Sequence, residues 1–282
     1  MFPTIDAIIK IGGSAITKKD ELETIKTDAL QRAAECIRQC RESGATLVVV
    51  HGAGSFGHHH ARSYEINKGI STSMDQEALE KKLLGFSLTR QSVQKLNQLV
   101  VKALVDIGIP AVACPPGSSW RTNKHEPVSW PRDTIGQLLK NNLVPVLHGD
   151  GCMDETDGFC ILSGDTIIKT LCLSFDVKRA VFLTDVAGVF DRPPCEPDAK
   201  LLKSISVNID GEVNQVIGMS QSKNDVTGGM VLKLNTATKI VSQTQGKCTV
   251  LVCAVDSCDS NTICSPEVDV CNAQFTKIVM AK

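Results

Sequence analysis

Short aliphatic and β-branched runs recur along the chain, each followed by a glycine-rich or polar turn and then by a longer stretch with helical spacing. Six runs read as strands: residues 5–11, 46–50, 111–114, 144–148, 180–184 and 249–254. A run such as Leu47-Val48-Val49-Val50 is apolar at every position, which suits a central strand covered on both faces. An alternating antiparallel sheet fits such runs less well. The helical stretches are residues 28–43, a long one beginning near Ser73, 133–141, 165–175 and 230–243. Gly44 and Gly108 read as helix stops, and Ser73-Met74-Asp75-Gln76 has the form of a capping box. Pro193, Pro194 and Pro197 mark a surface loop. This order predicts an α/β fold with a mainly parallel sheet covered by helices.

Composition narrows the classes. With 282 residues, 42% of them hydrophobic, the chain can bury one large core or two lobes, and a soft boundary is expected near residue 175. The 30 basic and 31 acidic residues leave a net charge of −1, so no global field favours nucleic acid or acidic membranes. An anionic ligand must then be held by local groups. The 12 cysteines are dispersed, and the opening residues Met1-Phe2-Pro3-Thr4 lack a basic and apolar leader, so we expect reduced thiols in a cytoplasmic protein. Cys36 and Cys40 sit at helical spacing, and Cys248, Cys253 and Cys258 lack the paired short spacing of a zinc site. Buried thiols are expected there. No apolar run reaches the ~18 residues of a membrane span.

The candidate chemistry lies in the turns. Lys10-Ile11-Gly12-Gly13-Ser14, His51-Gly52-Ala53-Gly54 and Gly149-Asp150-Gly151 each close a predicted strand, and Thr227-Gly228-Gly229 precedes the last long helix. Ligands of open parallel sheets collect at such places, where helix N-termini offer N–H groups and glycine lets the backbone approach a phosphate. The segment from Gly52 to Gly57 satisfies a dinucleotide-binding pattern, but three histidines in a row follow it, and the chain runs on to Ser71-Thr72-Ser73 where an acid about 20 residues on would be wanted. Lys10, Lys18, Lys19 and Lys233 flank the turns, and phosphoryl transfer needs cations on the migrating group. A lysine on a buried strand, as Lys10 is expected to be, wants an anion. Between Lys18 and Lys19 the residues alone do not choose, and Asp165 after Ser163-Gly164 fits a helix cap as well as a site.

Taken together, Lys10-x-Gly-Gly-Ser14, the segment His51 to His58, Val146-Leu-His-Gly-Asp150, Ser163-Gly-Asp165, the segment Thr184 to Val189, and Asp225-Val-Thr-Gly-Gly-Met230 resemble the amino acid kinase superfamily. Within it they resemble the isopentenyl phosphate kinase family. The resemblance spans nearly the whole chain and implies a three-layer αβα sandwich, dimeric, with an acceptor half over residues 1–175 and an ATP half over 176–282. It implies ATP with Mg²⁺ as donor, no protein-held metal site, and isopentenyl phosphate or dimethylallyl phosphate as acceptor. Lys10 and Lys233 would hold the ATP phosphates, Lys19 the transferring group, and Asp165 would orient the lysines. His58, with the backbone N–H groups of Gly54 and Ser55 and the Gly164 turn, would bind the acceptor phosphate from a glycine-rich loop. Gly12, Gly13, Ser14, Gly228 and Gly229 would line the nucleotide phosphates, with Asp185 and Gly188 near adenosine and the 191–197 loop as a lid. His59 and His60 receive no role. Phe86 and Thr89 are candidates for an apolar tail pocket or for ordinary core. Ala53 replaces a common glycine, and Val252-Cys253-Ala254-Val255 stands where an asparagine-glycine turn is frequent. The alternative acceptor is a carboxylate such as acetylglutamate, or a small phosphonate.

Overall fold

The computed structural model describes residues 2–71, 73–213, 229–257, 262–263 and 274–281. In chain order the elements are β1 (Ala7–Ile11), α1 (Gly13–Ile16), α2 (Thr27–Glu42), β2 (Leu47–His51), α3 (Gly54–Ser63), α4 (Gln76–Asp106) and β3 (Ala111–Ala113). They continue with β4 (Arg121–Asn123), β5 (Glu126–Ser129), α5 (Arg132–Lys140), β6 (Val144–His148), β7 (Asp150–Asp154), β8 (Gly158–Leu162) and α6 (Gly164–Ser174). The remainder are β9 (Arg179–Thr184), β10 (Ser204–Val207), α7 (Gly229–Gln243), β11 (Thr249–Ala254) and β12 (Phe275–Met280).

Eight strands form one sheet in the order β10-β12-β11-β9-β1-β2-β6-β3. Every pairing in it is parallel except β11 with β12. The three most central strands, β9, β1 and β2, are buried at every position, because both faces of the sheet are covered. Alternate residues feed opposite layers. Ile8, Val48, Val50 and Phe182 pack with residues of α5, α6 and α7, while Ile9, Ile11, Val49 and Leu183 pack with residues of α2 and α4. The result is the expected αβα sandwich.

Several local expectations change. The long helix starts at Gln76, not near Ser73: Asp75 is the cap, its carboxylate accepting from the Ala78 N–H at 2.8 Å. Gly44 and Gly108 do stop their helices, with φ of +88° and +87° that only glycine adopts easily. A second, mostly antiparallel sheet, β5-β4-β7-β8, was not predicted; its strands β4 and β5 are short and polar, and β7 and β8 form a hairpin outside the strand–helix alternation. Val252, Cys253 and Ala254 end strand β11, as the run over residues 249–254 predicts. Cys36, Cys40, Cys248 and Cys253 are buried, whereas Cys258 lies outside the described residues. Among the described residues, no helix is long and apolar enough to cross a membrane.

Candidate active site

The carboxyl ends of β1, β2, β6 and β9 open into one cavity of about 630 Å³. Its floor is made of glycine turns that continue the strand ladder: Gly52 N–H donates to the Ile11 carbonyl at 2.9 Å, Gly149 N–H to His51 at 2.9 Å, and Gly12 N–H to Leu183 at 2.8 Å. These turns touch backbone to backbone. A Cβ on Gly13 would lie 2.3 Å from the Gly54 nitrogen, and one on Gly52 would lie 2.6 Å from the Gly13 nitrogen. Glycine is therefore required at both positions by close approach.

Residues 54–63 are a helix, not the glycine-rich loop expected from their composition. His51 ends β2, Ala53 takes α-helical angles (φ −72°, ψ −27°), and α3 begins at Gly54, so His58 projects from the second turn of a helix. Ala53 is thus tolerated where glycine is common. The glycines that suggested a loop serve contacts instead: Gly57 lies against Val93 of α4, where a Cβ would come within 2.7 Å of it, and Gly85 of α4 packs under the Tyr64 ring. Helix propensity lost at glycine is outweighed by close packing of α3 on α4.

Lys10, Gly12, Gly13, Ser14, Lys19, Gly54, Ser55, His58, Gly164, Asp165, Asp185, Gly188 and Lys233 all line this cavity. Gly229 is the first residue of α7, and Gly228 lies outside the described residues. Lys10 is buried on β1, its ammonium 3.2 Å from an Asp165 carboxylate oxygen and 5.8 Å from the Phe182 ring centre. Gly164 clears the path, since a Cβ there would sit 3.1 Å from the Lys10 Cε. The cap of α6 is Ser163, which accepts from Thr166 N–H at 3.0 Å; Asp165 is left to the lysine. The structure also separates the adjacent lysines. Lys18 pairs with Glu21 at 3.1 Å on the surface, while Lys19 lines the cavity with no ion pair among the described residues.

One site expectation needs correction. The Ser55 N–H is not open to a ligand, because it donates to the Thr17 hydroxyl at 3.0 Å, and that hydroxyl donates to the Gly13 carbonyl at 2.8 Å. The buried Ser55 hydroxyl, which has no partner among the described residues, is the group Ser55 can offer. Thr17 went unnoticed because nothing in a lone threonine three residues past a glycine turn signals this bridge. Arg192, Asp150 and Thr17 are further cavity residues that sequence reasoning left out. Asp150 is buried and held by Arg90 Nε at 3.3 Å and by the Gly117 N–H at 3.0 Å.

The electrostatics follow from burial. His58 has its pKa lowered, first by desolvation and then by Arg62, His59, Lys10 and Lys19, so its ring is neutral in the free protein near pH 7. Beneath the floor, the rings of His51 and His148 stack at 5.2 Å. Burial pushes His51 down to about 3 and His148 down to about 4. His51 donates through Nδ1 to the Gly52 carbonyl at 3.0 Å, and its Nε2 lies 3.1 Å from the Asn97 amide of α4, so the ring braces the floor. The lining also includes the apolar side chains of Ala61, Val93 and Ile161, together with Thr89, whose hydroxyl donates to the Gly85 carbonyl at 2.8 Å. Phe86 is not part of it; it stacks on Phe159 at 4.6 Å.

A cavity floored by interlocked glycine turns and lined by lysines is built for phosphoryl groups. Residues 7–253 match the model of the amino acid kinase family. The chain belongs to the amino acid kinase family. It is 37% identical over 287 residues to an isopentenyl phosphate kinase of Arabidopsis thaliana, covering 84% of each chain. It is 39% identical over 236 residues to one of Methanothermobacter thermautotrophicus, covering 80% of this chain and 84% of that one. The solved structure described as "X-ray structures of isopentenyl phosphate kinase" superposes with a TM-score of 0.79 at 31% identity, covering 97% of this chain and 99% of that one.

Proposed function

We propose that this kinase transfers the γ-phosphoryl group of ATP to isopentenyl phosphate, giving isopentenyl diphosphate and ADP. The observation that carries the reading is the joint placement of His58 and the apolar side chains of Ala61, Val93 and Ile161 in the lysine-lined cavity. A phosphate head and a hydrocarbon tail are matched side by side. A carboxylate acceptor has no use for either.

An oxygen of the acceptor phosphate attacks the γ-phosphorus in line, and the bond from that phosphorus to the β,γ-bridging oxygen breaks, releasing ADP. The acceptor's second ionisation lies near pH ~6, so the nucleophile is largely a dianion at neutral pH and no general base is needed. Lys10 and Lys233 hold the ATP phosphates, Asp165 aims Lys10, and Lys19 balances charge on the migrating group. Gly12, Gly13, Ser14, Gly228 and Gly229 let the nucleotide phosphates approach the backbone, and Asp185 and Gly188 lie toward adenosine. His58 donates to the acceptor phosphate with the Gly54 N–H, the Ser55 hydroxyl and the Gly164 turn. Its neutral free state means that the dianion draws a proton onto the ring as it binds.

The residues fit Mg-ATP. The glycine turns and the cavity lysines suit phosphate oxygens, and the carboxylates Asp165 and Asp185 line the same cavity. Mg²⁺ when bound neutralises charge on the phosphoryl oxygens. We further propose an acceptor half over residues 1–175, an ATP half over 176–282, a homodimer, a cytoplasmic location, and dimethylallyl phosphate as a second acceptor. Purified protein in an ADP-release assay should turn over isopentenyl phosphate with kcat/KM at least about 10² above acetylglutamate. Turnover of acetylglutamate without turnover of isopentenyl phosphate would sink the assignment.

A further inference from the structure

We infer that His59 is the positioning residue for Lys19, so that neighbouring histidines on α3 serve the two sides of the transfer. This rests on the proposed role of Lys19 at the migrating phosphoryl group.

Residues 17–25 form a loop closed at its base. Thr17 and Ile25 make an antiparallel bridge, Lys18 N–H donates to the Thr24 carbonyl at 2.9 Å, and Lys26 N–H donates to Ile16 at 2.8 Å. The tip beyond that base, which carries Lys19, is exposed. Contacts with α4 and α3 tether it to the body. Glu23 pairs with Lys95 of α4 at 3.0 Å, and the Lys19 carbonyl lies 3.1 Å from His59 Nε2. A carbonyl can only accept, so Nε2 carries the hydrogen, in the neutral or the charged ring alike.

Of these, the His59 contact grips Lys19 itself, a residue that lines the cavity. Lysine has four side-chain torsions, and an unanchored backbone adds further freedom that transfer must remove. Fixing the carbonyl leaves the side chain alone to be ordered. Successive residues on a helix point about 100° apart. His58 therefore faces the cavity while His59 faces the loop tip, and the rigid backbone of α3 sets the spacing between the acceptor's histidine and the lysine. The lysine loop is thereby registered to the acceptor site by one helix.

The test compares wild type, His59→Leu, which lacks a donor, and His59→Gln, which keeps an N–H at similar reach. Losing one hydrogen bond of ordinary strength predicts that His59→Leu lowers kcat about three- to tenfold while both KM values stay within about twofold. His59→Gln should recover most of the rate. In a Lys19→Ala background, His59→Leu should cost nothing further, because the group it positions is gone. Trypsin gives a readout independent of turnover: cleavage after Lys18 and Lys19 should accelerate in His59→Leu and stay at the wild-type rate in His59→Gln. If His59→Leu does not fold, His59→Phe takes its place. An unchanged kcat, an equal loss in the Lys19→Ala background, or unchanged trypsin cleavage would each overturn the positioning role. A wild type inactive on isopentenyl phosphate would instead count against the acceptor assignment, with the trypsin comparison still deciding the role of His59.

Discussion

Where Gly52 and Gly54 of the proposed acceptor wall meet Gly13, main chain interlocks with main chain over a pair of buried histidines, whereas the proposed nucleotide wall is edged by an exposed strap, residues 190–201. The strap is closed at its base by the Phe190–Leu201 bridge, by Asp191 N–H to the Lys200 carbonyl at 3.0 Å, and by Lys200 N–H to the Asp191 carboxylate at 2.9 Å. Arg192, Pro193, Pro194 and Cys195 hang from it into the cavity. One wall is preorganised by main chain that has no room to move. The other is a tethered segment whose side chains face solvent and cavity together. Changes on the first should act through folding and acceptor binding; changes on the second should act through ATP alone.

The sharpest break would come from Gly13→Ala. Its new Cβ would meet backbone at 2.3 Å, with no side chain to yield, so we expect a loss of at least about 3 kcal/mol and a fall in Tm of about 6–12 °C. Glu196→Ala on the exposed strap should stay within about 0.5 kcal/mol. Thermal unfolding of both checks the contrast; equal shifts would erase it.

Next comes substrate selectivity. His58→Ala removes a charge-assisted hydrogen bond and should lower kcat/KM for the acceptor about 10- to 100-fold with the ATP KM unchanged. Arg192→Ala on the opposite wall should raise the ATP KM about two- to fivefold and leave the acceptor KM alone. Steady-state kinetics with each substrate varied separates these cases. If both variants moved both constants, the division of the cavity would be wrong.

The last contrast concerns pH. All six histidines lie before residue 149, so histidine-linked acid sensitivity belongs to the half proposed to bind the acceptor. His51 and His148 titrate at about 3 and about 4 when folded. Their ordinary value when unfolded is near 6.5, so the unfolded chain binds more protons below that pH. Stability is intact above pH ~6.5 and declines as pH falls toward 4. Tm measured from pH 7.5 to 5 should drop, and His148→Gln should flatten that drop. An unchanged slope would mean the stacked pair is not what acid attacks.

Much of this molecule can be read from its residues in order. Unbroken aliphatic runs such as Leu47–Val50 identify central parallel strands because burial on both faces leaves no polar position. Lys10 declares itself because a cation on such a strand has to meet an anion, and Asp165 supplies it at 3.2 Å. Both signals are local.

What stayed hidden depends on partners distant in the chain. The glycines from Gly52 to Gly57 look like a loop, yet Gly57 and Gly85 are small because α3 and α4 press together there. The choice between Lys18 and Lys19 turns on which way a loop tip faces, and Thr17 matters because its hydroxyl bridges Gly13 to Ser55, 38 residues on. His59 looks redundant beside His58 until the helix turns it toward the Lys19 carbonyl. Periodicity and composition report how much a residue is buried; which residue it meets is settled only when strands and helices from separate parts of the chain are brought into register.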